Sequence, residues 1–243
     1  MRTDDGRADA AATAAPGAAG GDVESLYPFL YGGSESTVGA VLDEVRRSTQ
    51  EKAAEIAALR RSVMEQEADK LAACAAAMAQ RFCDGGRLYT FGNGGSSTDA
   101  QAVATAFLHP ASGMPLPALS LTTDIACVTA LSNDIGFEVV FSRQIGAFGK
   151  PRDIAFALST SGGSANVIAA LEEASRRGML TVGLAGYSGG KMAELDTLDY
   201  LFVVPSSSVH RIQEAQTTIY HALCELTQGR LTAITQHETT AGR

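Results

Sequence analysis

The sequence predicts an α/β protein, a doubly wound five-stranded parallel sheet preceded by N-terminal helices. Three observations predict it. From Arg87 onward, short apolar runs alternate with helical patterns, which calls for a parallel sheet covered on both faces. Two of those runs end in loops rich in Gly and hydroxyl residues that open a helix, Gly92–Ser97 and Ser159–Ser164. Ahead of them, residues 34–82 place apolar residues at helical spacing.

The elements follow in order. Met1–Asp22 is Ala, Gly, Asp and Thr with almost no large apolar groups, so it is expected to be disordered. Leu26–Tyr31 is a short aromatic patch that either packs on the body of the protein or docks a partner. Ser34 or Ser36 caps the first helix, and Val38, Val41, Leu42 and Val45 mark its apolar face. Ile56, Leu59, Val63, Leu71, Cys74, Met78 and Phe82 continue the helical region, which Asp84-Gly85-Gly86 stops. Amphipathic helices placed ahead of an α/β body often pack against another subunit. The expected strands are Leu88–Phe91, Leu116–Leu121, Ile154–Leu158, Leu180–Leu184 and Tyr200–Val204. Between them come helices to about Leu108, from Thr123 or Asp124 to Leu131, over Phe137–Phe148, over Ala165–Arg177 and near Leu195. A final helix is expected over Val209–Leu226, followed by a polar, frayed tail. Five such strands suggest a flavodoxin-like domain, whose ligands bind at the carboxyl ends of the strands.

Composition narrows the function classes. The chain has 243 residues, 45% hydrophobic and 19% charged, enough for one good core. A net charge of −8 weighs against a general nucleic-acid binder. No run of 18 or more apolar residues marks a membrane span, and the N-terminus lacks the basic and apolar regions of a secretory signal. Cys74, Cys83, Cys127 and Cys224 are scattered and form no CxxC, which reads as reduced thiols in a cytoplasmic protein.

The two loops carry the chemistry. Bare backbone N–H groups and Ser hydroxyls at a helix N-terminus make a ready anion site. Two such loops in equivalent strand–helix contexts point to a phosphorylated ligand. No G-x-x-x-x-G-K-[ST] is present, which argues against a nucleoside-triphosphate site, and no G-x-G-x-x-G argues for a dinucleotide.

An ordered series of motifs resembles a known family. It comprises Gly92-Asn-Gly-Gly-Ser96, Thr122-Thr-Asp124, Ala130-Leu-Ser-Asn-Asp134, Phe141-Ser-Arg143, Ser159-Thr-Ser-Gly162 with Ser164-Ala-Asn-Val167, Gly189-Gly-Lys191, and Arg211-Ile-Gln-Glu214 with His221. The chain is similar to the sugar isomerase (SIS) domain family and, within it, to the phosphoheptose (sedoheptulose 7-phosphate) isomerases, over residues 68–228. The expected organisation is a disordered tail (1–23), an N-terminal segment with oligomerisation helices (24–83), the SIS domain (84–230) and a frayed tail (231–243).

The resemblance implies a homotetramer with sites at subunit interfaces and an aldose–ketose isomerisation through an enediol. It implies that Asn93, Gly94, Gly95, Ser96, Ser159, Thr160, Ser161 and Ser164 hold the sugar phosphate and that Asn133 and Asp134 line the site. It assigns Gln213 to the ligand-binding set and His221 as the acid/base candidate, and makes both of them remnants of a zinc site. The other two family ligands, a His and a Glu on the helix after the first loop, fall on Ala102 and Ala106. That Glu also serves as the family's base. Proton transfer at a carbon acid needs a base within hydrogen-bond reach, and alanine supplies none. Zinc by the family scheme would lack two of four ligands, so no metal is assigned. His109 shares a helix face with positions 102 and 106, but it precedes Pro110 and reads as a capping or surface residue, and Thr123 and Asp124 read as caps. Two functions follow: a phosphoheptose isomerase-like enzyme with a degenerate metal and base site, or a non-catalytic SIS paralogue with a regulatory or scaffolding role through a protein partner. Neither involves nucleic acid or a membrane.

Overall fold

The computed structural model describes residues 35–241, so the tail over 1–23 and the patch Leu26–Tyr31 lie outside the described residues. The chain divides into two compact units, Met1–Lys52 and Ala53–Arg243. Where several helices were expected over residues 34–82, the described residues form a single one, α1 (Glu35–Cys83), 49 residues long. Its sequence explains the continuity: it holds no proline, a single glycine at Gly39, and many Ala, Glu and Arg residues of high helix propensity. In the first unit, Val38, Leu42 and Val45 are exposed, and Arg46 pairs with Asp43 at 3.2 Å. In the second, Leu71, Cys74, Met78 and Phe82 are buried in the core. The helix stops where the N–H groups of Gly85 and Gly86 return to the carbonyls of Phe82 and Arg81.

The remaining elements are β1 (Leu88–Gly92), α2 (Gly95–Leu108), β2 (Ala118–Ser120), α3 (Ile125–Asp134), α4 (Val140–Phe148), β3 (Ile154–Ser159), α5 (Ala165–Arg176), β4 (Leu180–Gly186), β5 (Tyr200–Val204) and α6 (Val209–Ala241). All strand pairs are parallel, in the order β2-β1-β3-β4-β5. This is the flavodoxin-like order expected. In register, Leu88 stands beside Ile154, Ile154 beside Leu180, and Val182 beside Tyr200.

The two-residue period of the strands sorts the core into two layers. Leu88, Ile154, Phe156, Leu158, Val182, Leu184 and Phe202 face α1, α2 and α6. Tyr89, Phe91, Ala155, Ala157 and Ala185 face α4 and α5. The helix after β1 thus covers one face and the helix after β3 the other. Because β1 and β3 are neighbours, the chain departs in opposite directions from adjacent strand ends, and this opens the crevice where such folds bind ligands.

Several expected boundaries move. The strand expected over 116–121 is ordered only at 118–120, because Pro115 and Pro117 cannot donate to the ladder; Leu116 instead donates its N–H to the Phe107 carbonyl at 2.9 Å. The helix expected over Phe137–Phe148 begins as a 3-10 turn, Phe137–Val139, and the short helix near Leu195 is a 3-10 turn over Gly190–Glu194. The last helix does not end near Leu226, and the tail expected to fray from 231 is helical as far as Ala241. Leu231 is buried in the core, Ile234 packs on it, and the Thr232 and Thr235 hydroxyls return to carbonyls one turn back.

Candidate functional site

The first loop begins where β1 ends. Ser96 and Ser97 donate their N–H groups to the carbonyls of Asn93 and Gly94 at 2.9 and 3.0 Å, which turns the chain into α2. Gly94 is the N-cap, with φ 55°, and no side chain caps the helix. Gly94 and Gly95 are exposed, and no acidic residue occupies the first turn. With the Ser96 and Ser97 N–H groups turned back onto the loop, the Gly94 and Gly95 N–H groups, which have no partner among the described residues, are the ones left for whatever enters the crevice, with the favourable end of the helix dipole behind them.

The second loop is built the same way at the end of β3. Ser159 is buried and its hydroxyl lies 3.2 Å from that of Ser164. Ser164 is the N-cap of α5, but its hydroxyl does not bond to that helix. The exposed Ser161 accepts the Gly163 N–H at 3.2 Å. The loop after β4 braces this one from behind: Gly186 donates to the Thr160 carbonyl and Met192 to the Gly162 carbonyl, both at 2.9 Å. Gly162 has φ +64°, and a Cβ there would lie 1.9 Å from the Gly189 oxygen, so both the backbone and the contact require glycine.

A reciprocal amide pair joins the two loops. Asn93 donates to the Asn166 side-chain oxygen at 2.8 Å, and Asn166 donates back to Asn93 at 2.9 Å. Two helix N-termini from opposite faces of the sheet are thus held beside one another. A cleft of about 150 Å3 adjoins the first loop, with Asn93, Ser97 and Thr122 as polar lining and Phe137 and Phe141 as apolar walls. A larger groove of about 520 Å3 lies between α4 and α5, at the far end of α5 from the Ser159–Ser164 loop. There Glu173 is already paired with Arg176 and Arg177, at 2.5 and 2.6 Å.

Helix α6 reaches the first loop through Gln213. Its amide donates to the Asp99 carboxylate at 3.2 Å and lies against Gly95, where a Cβ would stand 2.3 Å from the Gln213 nitrogen. Burial pushes the half-buried Asp99 carboxyl above its ordinary range, and the Gln213 hydrogen bond partly offsets this. His221, further along α6, is exposed, and its Nδ1 lies 2.8 Å from the Thr217 carbonyl of its own helix. Asn133 and Asp134 are exposed at the end of α3, bonded to each other at 2.8 Å. No hydrogen bond or ion pair joins His221, Asn133 or Asp134 to the two loops among the described residues. Asp124 caps α3 by accepting the Cys127 N–H at 2.9 Å, and His109 is the C-cap of α2. Both match the structural roles expected of them.

Ala102 and Ala106 lie partly buried on α2, against the core. The Cys224 thiol, on α6, donates to the Ala106 carbonyl at 3.4 Å. Burial pushes that thiol up to about 11. No group of three or more His, Cys, Asp or Glu side chains that could hold a metal occurs among the described residues. Three residues gain a partner or a backbone role from the structure. Asn166 stands inside a quoted motif, but its partner is 73 positions away. Asp99 follows the first loop with nothing local to announce Gln213. Tyr187, in the loop after β4, has φ 54°.

Comparison with known proteins is consistent with this geometry. The SIS domain family pattern matches residues 53–186. The chain is 41% identical over 200 residues to a phosphoheptose isomerase of Roseiflexus sp. (strain RS-1), covering 82% of this chain and 96% of that protein. It is 41% identical over 176 residues to a phosphoheptose isomerase of Aquifex aeolicus (strain VF5), covering 72% and 91%. Among solved structures, phosphoheptose isomerase GmhA from Neisseria gonorrhoeae superposes with a TM-score of 0.71 at 36% identity, over 76% of this chain and 99% of that one. A phosphoheptose isomerase from Francisella tularensis gives 0.66 at 31% identity, over 78% and 98%.

Proposed function

The chain belongs to the SIS domain family and is phosphoheptose isomerase-like, and from that premise we propose that it binds a phosphorylated sugar of the heptose class between the loops after β1 and β3. The Asn93–Asn166 pair is the observation that carries this reading, since it holds two anion-receptive helix N-termini at one crevice. In this reading, Asn93, Gly94, Gly95, Ser96, Ser159, Thr160, Ser161 and Ser164 receive the phosphate and sugar hydroxyls. Asn133 and Asp134 line the approach, and Gln213 supports the first loop.

Two readings of turnover follow. In the first, the chain isomerises the sugar phosphate through an enediol, with His221 as acid and base. In the second, it is a non-catalytic SIS protein that acts by regulation or scaffolding, with its N-terminal segment meeting a protein partner. Ala106 favours the second, because a methyl group cannot accept the proton that must move between the two sugar carbons. Either way the protein is taken as a cytoplasmic homo-oligomer, a tetramer by resemblance, without a nucleic-acid ligand. No helix among the described residues is long and apolar enough to cross a membrane.

The test is calorimetric titration with sedoheptulose 7-phosphate beside a turnover assay. Replacing Ser159 and Ser161 together by alanine is expected to weaken binding by about 1–3 kcal/mol, the scale of lost hydrogen bonds to a charged group. Unchanged affinity would place the phosphate elsewhere. Turnover that His221→Ala abolishes would establish the enzyme reading; binding without turnover would establish the other.

A further inference from the structure

The family resemblance implies zinc, and the side chains at its implied site do not fit that ion. Zinc is held by thiolate, imidazole and carboxylate donors, four in a closed site and three with an open position for substrate. Positions 102 and 106 offer methyl groups packed against the core. The remaining two side chains supply at most one amide oxygen and one imidazole nitrogen, short of the three or four donors that zinc takes. The Gln213 nitrogen bonds Asp99 at 3.2 Å, and His221 is exposed with its Nδ1 on the Thr217 carbonyl at 2.8 Å. Gln216, one turn beyond Gln213, is fully buried with its amide unpartnered among the described residues, yet a neutral amide replaces neither an imidazole nor a carboxylate. Opposite Ala106, helix α6 presents the Cys224 thiol, which donates to the Ala106 carbonyl at 3.4 Å. A thiol acting as a hydrogen-bond donor is protonated and is no zinc ligand.

Gln213 has instead a positive role that needs no ion. Its amide spans from α6 to Asp99, in the second turn of α2, and rests on the Gly95 backbone, where no Cβ stands in the way. It touches both the loop that receives the phosphate and the helix whose N–H groups face it. An ion bridging α2 and α6 would hold these two helices together; the Gln213–Asp99 hydrogen bond holds them without one.

We propose that this chain binds its phosphosugar without a divalent metal, with Gln213 as a positioning residue that braces the Gly92–Ser97 loop from α6. The proposal rests on the phosphosugar reading above. Its test measures zinc in the purified full chain after dialysis against excess zinc, and sedoheptulose 7-phosphate binding by calorimetry in EDTA and in zinc. We expect well under one equivalent of zinc and affinities that agree within about twofold in the two buffers. Gln213→Leu is expected to weaken binding about tenfold, by the same factor in both buffers, as loss of a brace should. A ligand role would show its loss in zinc alone. Gln213→Met serves as the second variant if the first does not fold. Stoichiometric zinc, or binding that requires zinc, overturns the proposal and leaves the phosphosugar reading standing. A Gln213→Leu variant with full affinity overturns the brace. Absence of sugar-phosphate binding in both buffers overturns the phosphosugar reading and the proposal together.

Discussion

Tyr187 is the sole described residue other than glycine with a left-handed backbone, φ 54°. An L-residue there brings its Cβ against the following carbonyl oxygen, at about 1–2 kcal/mol. Neighbouring glycines show why the turn keeps this shape: Gly162, Gly189 and Gly190 pack backbone on backbone, so the loop cannot relax without displacing the Ser159–Ser164 loop. Tyr187→Gly is therefore expected to stabilise the protein. The strain released exceeds the added entropy of the unfolded glycine, leaving a gain of about 0.5–1 kcal/mol, a rise in Tm of roughly 1–4 °C. Thermal melting checks it; a lower Tm would mean that the tyrosine ring contributes more than its backbone loses. Ala102 and Ala106 carry a different lesson at this scale. They were legible as departures only because the motifs around them were intact, and the structure adds that their methyl groups fill a seam rather than leave a gap.

At the scale of elements, the strand–loop–helix alternation was readable because period-2 burial and glycine-rich turns are local signals. Tyr200–Val204 came out residue for residue, and β1, β3 and β4 differ by one or two residues at their ends. What was not readable depends on distant partners. Nothing near Leu231 reveals that it will be buried, so the length of α6 was missed, and nothing near Asn93 reveals Asn166. The candidate site divides likewise: both loops were evident, and the braces Gln213–Asp99 and Gly186–Thr160 were not. The helices α1 and α6 also bury the thiols of Cys74 and Cys224, while Cys83 is exposed and Cys127 partly so. Burial raises both buried thiols above their ordinary 9.0, Cys224 to about 11. In the folded chain they hold their protons where the unfolded chain has released them. The unfolded state thus binds fewer protons above pH 9, and stability falls as pH rises from about 9 through 11. At pH 8 the Cys224 thiolate is roughly one part in a thousand. A thiol reagent at that pH is expected to label Cys83 and Cys127 in the folded protein, and Cys74 and Cys224 only on unfolding. Rapid labelling of Cys224 in the native state would contradict its burial in the α2–α6 seam.

At the scale of the whole molecule, the α/β unit satisfies itself: both faces of its sheet are covered, and its two core layers are closed. Among the described residues of the first unit, an apolar stripe stays exposed. Val38, Leu42 and Val45 recur at i, i+4 and i+7, so they share one face of α1, and they are 52, 55 and 56% exposed. Elsewhere on the same stretch, Arg46 and Arg47 pair with Asp43 and Glu51, in exposed contacts worth little to stability. Such an exposed apolar stripe on a charged helix is a surface that self-association through a second copy would bury. Each such side chain gains about 1.5–3 kcal/mol when fully buried. The α/β unit does not depend on that stripe for its core, so folding and assembly separate experimentally. Replacing Leu42 and Val45 together by glutamate is expected to lower the native mass measured by light scattering, while the thermal transition of the α/β unit changes little. Glutamate is as exposed in the monomer as the residues it replaces, but in a self-associated stripe it would bury unpaired charge. An unchanged native mass would show that this stripe holds no copies together.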